Sequence, residues 1–542
     1  MTPARLRSWA AAHPRLTLAL LVTVLLAPFL AKPFNMDEPL FLWAAKQILA
    51  HPANPYGFAV NWYGSPQPMW SVTENPPLAC YYLALAAAIG GWSEIGLHLA
   101  LLLPAIAAIL GTHRLARQFC RQPLLAALVT LCTPVFLVSA NTVMCDVMLL
   151  ALWVWAVALW MEGLAREDFR RLLFSGVLMA LALWCKYYGL CLVPLLAAYG
   201  FAKQRAAGRW LLPLLIPLTA LVAYESATLV QYGAALFSGA ASYAAVKNRV
   251  AGVSPIGAGV LDLAFTGGCA ATVVFLLPLV CRRRTVAIFA GIAALMASGI
   301  IGPQGKGRGL ADIQLAFWAA GGLAVLALAL GEFRQRRDAG TLLLGLWIVG
   351  TFVFAGFINW TINGRSILPL IPPVAILLAR RLEAREKASA GAGILLVAGA
   401  ALALLVARAD YCFARSVRQS ARQTLAQVDR SHQTLWFQGH WGYQYYMELA
   451  GATAVDMASP VVRAGDLLAV PWNNTNQRFP KSDFADRVSR FTVSKGNCLT
   501  VTDGGLGAGF YDARLERPLP FVFGEVPDDE VLIYRFKAMT TP

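Results

Sequence analysis

The chain has 542 residues, of which 58% are hydrophobic and only 14% charged, with a formal net charge of +16; an ordinary soluble domain carries roughly 25% charged residues. That balance excludes an ordinary soluble protein. It also sets nucleic acid aside as a partner, because the basic residues stand in short clusters between apolar runs rather than on one soluble face. The ten cysteines are mostly isolated inside apolar runs, with no C-x-x-C pair and no zinc-type Cys/His spacing, so no cysteine-based metal site is expected.

Arg5, Arg7 and Arg15 precede the first apolar run, which is too long, and too poorly followed by small residues, to be a cleaved signal peptide. The positive-inside rule then places the N-terminus in the cytoplasm and the pair Asp37-Glu38 outside. A loop over 35–75 follows, rich in proline and aromatics and too long to be an idle connection in a compact protein. The run 76–91 opens with two prolines and closes with two glycines. Read as a full span, it would put all six later basic clusters (those around Arg114, Arg170, Arg205, Arg283, Arg336 and Arg381) outside; read as a re-entrant or juxtamembrane helix, it puts all six inside. The second reading is adopted.

Spans are expected near 16–34, 96–113, 124–140, 143–161, 171–185, 187–202, 209–231, 256–280, 285–302, 313–331, 341–358, 366–379 and 391–408, about thirteen in all. The expected fold class is a polytopic α-helical membrane protein with a C-terminal soluble α/β domain. Residues 1–408 form the membrane domain, with 35–95 as an extracytoplasmic first loop carrying juxtamembrane helices, and 409–542 the extracytoplasmic domain. In the tail, a helix leaves the last span, and runs such as D-L-L-A-V-P and V-L-I-Y-R-F-K read as strands. Spacing does not say whether its two cysteines, Cys412 and Cys498, pair.

This topology gathers on one side Asp37-Glu38, the turn around Asp146, the turn around Lys186 and the loop N-W-T-I-N-G-R that ends in Arg365. Charged groups at span ends facing one compartment suggest a shared site. Each also has a plainer account. Asp37-Glu38 can be the acidic first turn of a helix and Asp146 a helix cap; Lys186 can snorkel to the interface and Arg365 can be a flanking charge. The glycine-rich G-P-Q-G-K-G-R-G at 302–309 lacks Walker spacing and reads as a loop. His440, in an aromatic segment, reads as a packed core residue before a sugar platform.

The ordered set N-M-D-E at 35–38, E-N-P-P at 74–77, N-T-V-M-C-D at 141–146, W-C-K-Y-Y-G at 184–189 and N-G-R-S-I-L-P at 363–369 resembles the GT-C class of membrane glycosyltransferases, above all the protein O-mannosyltransferases and the aminoarabinose (lipid A) transferases. The likeness covers about 16–408, and it departs from the family pattern at Asn75 and Ser366. It implies an enzyme of the bacterial cytoplasmic (inner) membrane that passes a sugar from a polyprenyl-phosphate donor to a lipid, glycan or protein acceptor at the outer face, inverting the anomeric carbon. A base must draw the acceptor's proton, a role given to Asp37. The departing lipid phosphate needs positive charge, given to Lys186 and Arg365. Glu38 and Glu74 orient the acceptor or the loop, and Asp146 supports the cations. No metal ligands are assigned, although paired carboxylates are compatible with Mg²⁺ or Mn²⁺. The alternative is a transporter or flippase for lipid-linked sugars, but internal repeats and midplane charges are not evident.

Overall fold

The computed structural model describes residues 9, 12–73, 75–250, 254–297, 309–385, 389–428, 433–496, 498–513 and 518–537. Backbone groups placed in hydrocarbon must satisfy one another within the segment, which for these leucine- and alanine-rich runs means helices. Helices accordingly fill most of the chain up to Ala426. Among the described residues six are long and apolar enough to cross a membrane: Glu94–Ala116, Asp146–Arg166, Arg209–Tyr232, Leu310–Gln335, Ala339–Ile358 and Gly391–Ala426. Two bent pairs raise the number to eight, Pro123–Leu131 with Pro134–Ala140 (66°) and Pro255–Cys269 with Ala271–Val280 (85°). Length and composition thus support a multi-pass helical protein with six to eight candidate spans, against the thirteen counted from the sequence. The difference lies in short helices such as Pro14–Leu26, Leu192–Gln204 and Ile371–Glu383, each of 13 residues.

The first bend has a clear cause, because Pro134 has no N–H to continue the preceding helix and starts a new one. Near the second, glycines bring two helices together: a Cβ on Gly267 would lie 1.9 Å from the Trp318 carbonyl oxygen, and one on Gly322 2.0 Å from that of Leu263. Only glycine permits such an approach. The apolar run 76–91 forms the short helix Leu78–Gly90.

The last long helix, Ser389–Ala426, runs unbroken through the domain boundary expected at 408/409. Asp410, expected in the helix that leaves the last span, lies in this helix and is 1% exposed. Beyond it, a five-stranded sheet has the order Thr453–Ala454, Leu435–Phe437, Leu467–Pro471, Asp529–Phe536, Ala485–Val493. Leu435–Phe437 runs parallel to both of its neighbours, and Asp529–Phe536 antiparallel to both of its own. The helix Trp441–Leu449 completes this part. The apolar core continues into it from the membrane helices through Phe413, Trp441 and Phe521.

Basic clusters converge at one end. Glu162 pairs with both Arg114, at 2.6 Å, and Arg171. Glu332 pairs with Arg380 and Arg381, and Glu383 accepts the backbone N–H groups of Arg121 and Gln122. Asp146 begins the 21-residue helix whose other end carries Arg166, so about 30 Å of helix separates it from that basic end.

Candidate active site

Asp37 and Glu38 stand where the first helix gives way to the helix Glu38–Ala50. Met36, just before them, takes the left-handed backbone (φ +52), which costs a residue with a Cβ on the order of 1–3 kcal/mol. The adjacent carboxylates then face different surroundings: the Asp37 side chain is 34% exposed and that of Glu38 is 0%. Asp37 occupies the N-cap position, yet its side chain makes no capping hydrogen bond. Its Oδ2 instead accepts a 2.9 Å hydrogen bond from Arg365 Nη2. Capping therefore does not account for Asp37.

Arg365 lies in the single turn Gly364–Ile367, which Asn363 caps by accepting the Ser366 N–H at 2.8 Å. Its Nη1 lies 2.9 Å from Met144 Sδ, and its guanidinium carbon is 5.5 Å from the centre of the Tyr511 ring. Burial works against the guanidinium's charge, but the carboxylates of Asp37 and Asp146 outweigh it, and its pKa is raised above the ordinary arginine value.

Asp146 is the first residue of its helix, and Lys186 ends the helix Phe169–Cys185 in extended backbone. Lys186 Nζ donates to Asp146 Oδ1 at 2.7 Å, with the aspartate 2% and the lysine 20% exposed. A lysine directed at a buried carboxylate is not an interfacial snorkel. Asp37, Asp146, Lys186 and Arg365 are thus brought together from four separate segments as two adjoining ion pairs. Glu74 and residues 302–308 lie outside the described residues.

Sequence reading missed the charge network behind these pairs. Lys32 Nζ lies 2.6 Å from Asp410 Oδ2 and 3.5 Å from Glu38 Oε1, and it donates to the Asn141 carbonyl at 2.9 Å. Glu38 also accepts the N–H groups of Asn35, at 2.9 Å, and Val143, at 3.2 Å. Burial, opposed by Lys32, pushes the Glu38 carboxyl up to about 7. Held in this way, the Glu38 side chain is closed off from the surface. The Tyr511 phenol donates to Asp410 Oδ1 at 2.8 Å. Lys32 had a signal in the sequence, as a cation beside the acidic pair on the side expected to be poor in lysine. Tyr511 had none.

Asp37 and Glu38 engage different cations. Among the described residues no three of His, Cys, Asp and Glu converge as ligands for Mg²⁺ or Mn²⁺. His440 is a packed residue: its Nδ1 lies 3.1 Å from Gln444 Oε1, its Nε2 2.6 Å from Asn476 Nδ2, and its ring 5.4 Å from that of Trp62. Cys412 and Cys498 are free thiols.

Residues 74–226, which include Asp146 and Lys186 but not Asp37 or Arg365, match the family model of dolichyl-phosphate-mannose-protein mannosyltransferase. No curated protein sequence matches the chain. Among solved structures, ArnT from Cupriavidus metallidurans bound to undecaprenyl phosphate is similar at 14% identity and a TM-score of 0.51, over 86% of this chain and 93% of that one. The same protein in the apo state gives 13% identity and a TM-score of 0.51, over 85% and 93%. An Archaeoglobus fulgidus oligosaccharyltransferase tethered to an acceptor peptide is similar at 13% identity and a TM-score of 0.47, over 82% of this chain and 64% of that one. The chain has the fold of the GT-C membrane glycosyltransferases and carries within it a segment matching their dolichyl-phosphate-mannose-protein mannosyltransferase model.

Proposed function

We propose that the protein is a glycosyltransferase that moves a sugar from a polyprenyl-phosphate carrier to a lipid, glycan or protein acceptor at the outer face of the bacterial cytoplasmic membrane, with inversion at the anomeric carbon. The family match over 74–226 and the GT-C fold support the enzyme class, and ArnT bound to undecaprenyl phosphate supports a polyprenyl-phosphate carrier. The comparisons give the flippase alternative no support. The observation that carries the reading is the pairing of two carboxylates with two cations, drawn from four segments, at the end of the helices remote from the interlinked arginines.

In the proposed reaction Asp37, the more exposed carboxylate, accepts the proton of the acceptor hydroxyl or amide as that atom bonds to the anomeric carbon. The bond from the anomeric carbon to the phosphate oxygen breaks, and its electron pair leaves with the lipid phosphate. Arg365 and Lys186 balance that charge, the guanidinium by its two-pronged geometry and the ammonium as a point charge. Asp146 holds Lys186, Glu38 fixes the loop that presents Asp37, and Glu74 orients the acceptor or the loop. The proposed topology has thirteen membrane passages, a cytoplasmic N-terminus and a periplasmic C-terminal domain. The arginine pairs gathered at one end agree with it.

The test is sugar transfer from a polyprenyl-phosphate donor by the protein in lipid, comparing the parent with Asp37→Asn. Loss of a general base lowers turnover by about 10²- to 10⁴-fold, with carrier binding retained. Transfer at the parental rate by a folded Asp37→Asn protein removes Asp37 from the role of base.

A further inference from the structure

The short turn that presents Arg365 is anchored from outside the membrane helices. Gly364 N–H donates to the Phe510 carbonyl at 2.7 Å, Ala513 N–H donates to the Ile362 carbonyl at 2.8 Å, and Thr361 Oγ1 donates to Asp512 Oδ1 at 2.6 Å. The contact leaves no spare volume, since a Cβ on Gly364 would lie 2.6 Å from the Phe510 ring. Between these anchors Tyr511, 3% exposed, places its ring against the Arg365 guanidinium while its hydroxyl is tied to Asp410 on the last long helix. The aspartate is in turn bound to Lys32, and so to the Glu38 loop.

We propose that the segment Phe510–Ala513 is a wall of the active site and that Tyr511 is a positioning residue for Arg365, setting the direction in which the guanidinium meets the carrier phosphate. The inference rests on the phosphate-binding role given to Arg365 above. A guanidinium has many rotamers, and a site must hold it within a fraction of an ångström to use both of its prongs. The aromatic face fixes its plane, and the backbone pairing of 362–364 with 510–513 fixes its root. The C-terminal part of the chain therefore completes the donor site.

The experiment uses the full chain in lipid nanodiscs with undecaprenyl phosphate as the probe. It reads carrier affinity, thermal midpoint and amide hydrogen exchange over 362–366. Tyr511→Leu is expected to weaken carrier binding about tenfold, the equivalent of the ~1.4 kcal/mol of a partly desolvated cation–π contact, and to speed exchange over 362–366, with a midpoint lowered by the lost packing and the lost hydrogen bond to Asp410. Tyr511→Phe keeps the ring and so restores affinity to near the parental value. Gly364→Ala, which wedges the turn away from Phe510, reproduces the loss without touching Tyr511. Parental affinity and parental exchange in a folded Tyr511→Leu protein overturn the proposal. If the parent binds no carrier and Arg365→Gln behaves like it, the reading of function falls, and exchange over 362–366 alone then decides whether Tyr511 positions the turn.

Discussion

Replacing Lys32 by Met removes one cation from a site where two carboxylates face it, Asp410 at 2.6 Å and Glu38 at 3.5 Å, all three side chains being at most 1% exposed. Methionine fills nearly the same volume, so the loss is electrostatic rather than a cavity. Breaking a buried ion pair by deleting one partner costs about 3–5 kcal/mol. The stranded carboxylates can escape only by taking up protons. Glu38, already pushed up to about 7 by burial, does so at little cost, which leaves the buried Asp410 as the stranded partner. Lys32→Met should therefore lose about 4 kcal/mol at pH 7. The deficit should shrink as pH falls through about 7, because Glu38 then takes up its proton in the parent as well and Lys32 has one carboxylate fewer to neutralise. The assay is the thermal midpoint in detergent from pH 5 to 8 for Lys32→Met and for Lys32→Met with Asp410→Asn. The double variant has no stranded aspartate and should recover most of the loss. A midpoint at pH 7 equal to the parent's, or a double variant no better than the single one, refutes the reasoning.

Lys186→Met strands the buried Asp146 in the same way, so adding Asp146→Asn should restore the thermal midpoint but not carrier affinity; recovery of both would reduce Lys186 to a structural partner. Asp262, 0% exposed, has both carboxyl oxygens without a hydrogen-bond partner among the described residues, so Asp262→Leu should raise stability by about 1–3 kcal/mol, and a lowered midpoint would show that a partner was overlooked. Burial, opposed by the Gln444 hydrogen bond, lowers His440 to about 4. The fold thus holds the histidine neutral and gains stability that is complete above about 6.5, its ordinary value, and is lost as pH falls toward 4, on the order of 3 kcal/mol. His440→Gln should flatten that acid limb of the midpoint curve, and an unchanged limb counts against it.

The helices and the site candidates were legible for one reason: a charge placed among apolar residues is costly, so its presence asks for an account. Asp37, Asp146, Lys186 and Arg365 stood out on that ground. Their pairing did not, because Asp37 and Arg365 are 328 residues apart and nothing local couples them. The burial of Asp410 was hidden for the converse reason. An acidic residue after an apolar run marks the end of a membrane segment unless a lysine neutralises it, and Lys32 comes from the other end of the membrane domain. Bends are equally hidden where no proline announces them: the break at Ala270 stands beside the glycine-lined approach of another helix, and counting apolar runs passes over it. Tyr511 lies in a tail whose runs announce strands, and its contact with Arg365 depends on how the sheet docks.

The pairing of Asp37 with Arg365 constrains the order of the proposed reaction. Arg365 occupies Asp37 Oδ2, so in the proposed reaction that oxygen is freed for the acceptor's proton when Arg365 changes partners. A carrier phosphate offers the guanidinium the same planar, two-pronged partner that a carboxylate does, and it does so beside Lys186. Donor arrival then draws Arg365 from Asp37 to the phosphate and releases the base in the same movement, whereas an acceptor arriving first would meet a carboxylate already engaged. Tyr511 suits this exchange, because an aromatic face steadies the plane of a guanidinium without competing for its N–H donors. The network of Lys32, Glu38 and Asp410 holds the loop and the last long helix still while one arginine changes partners, which gives a physical reason to bury three ionisable groups where they touch no substrate.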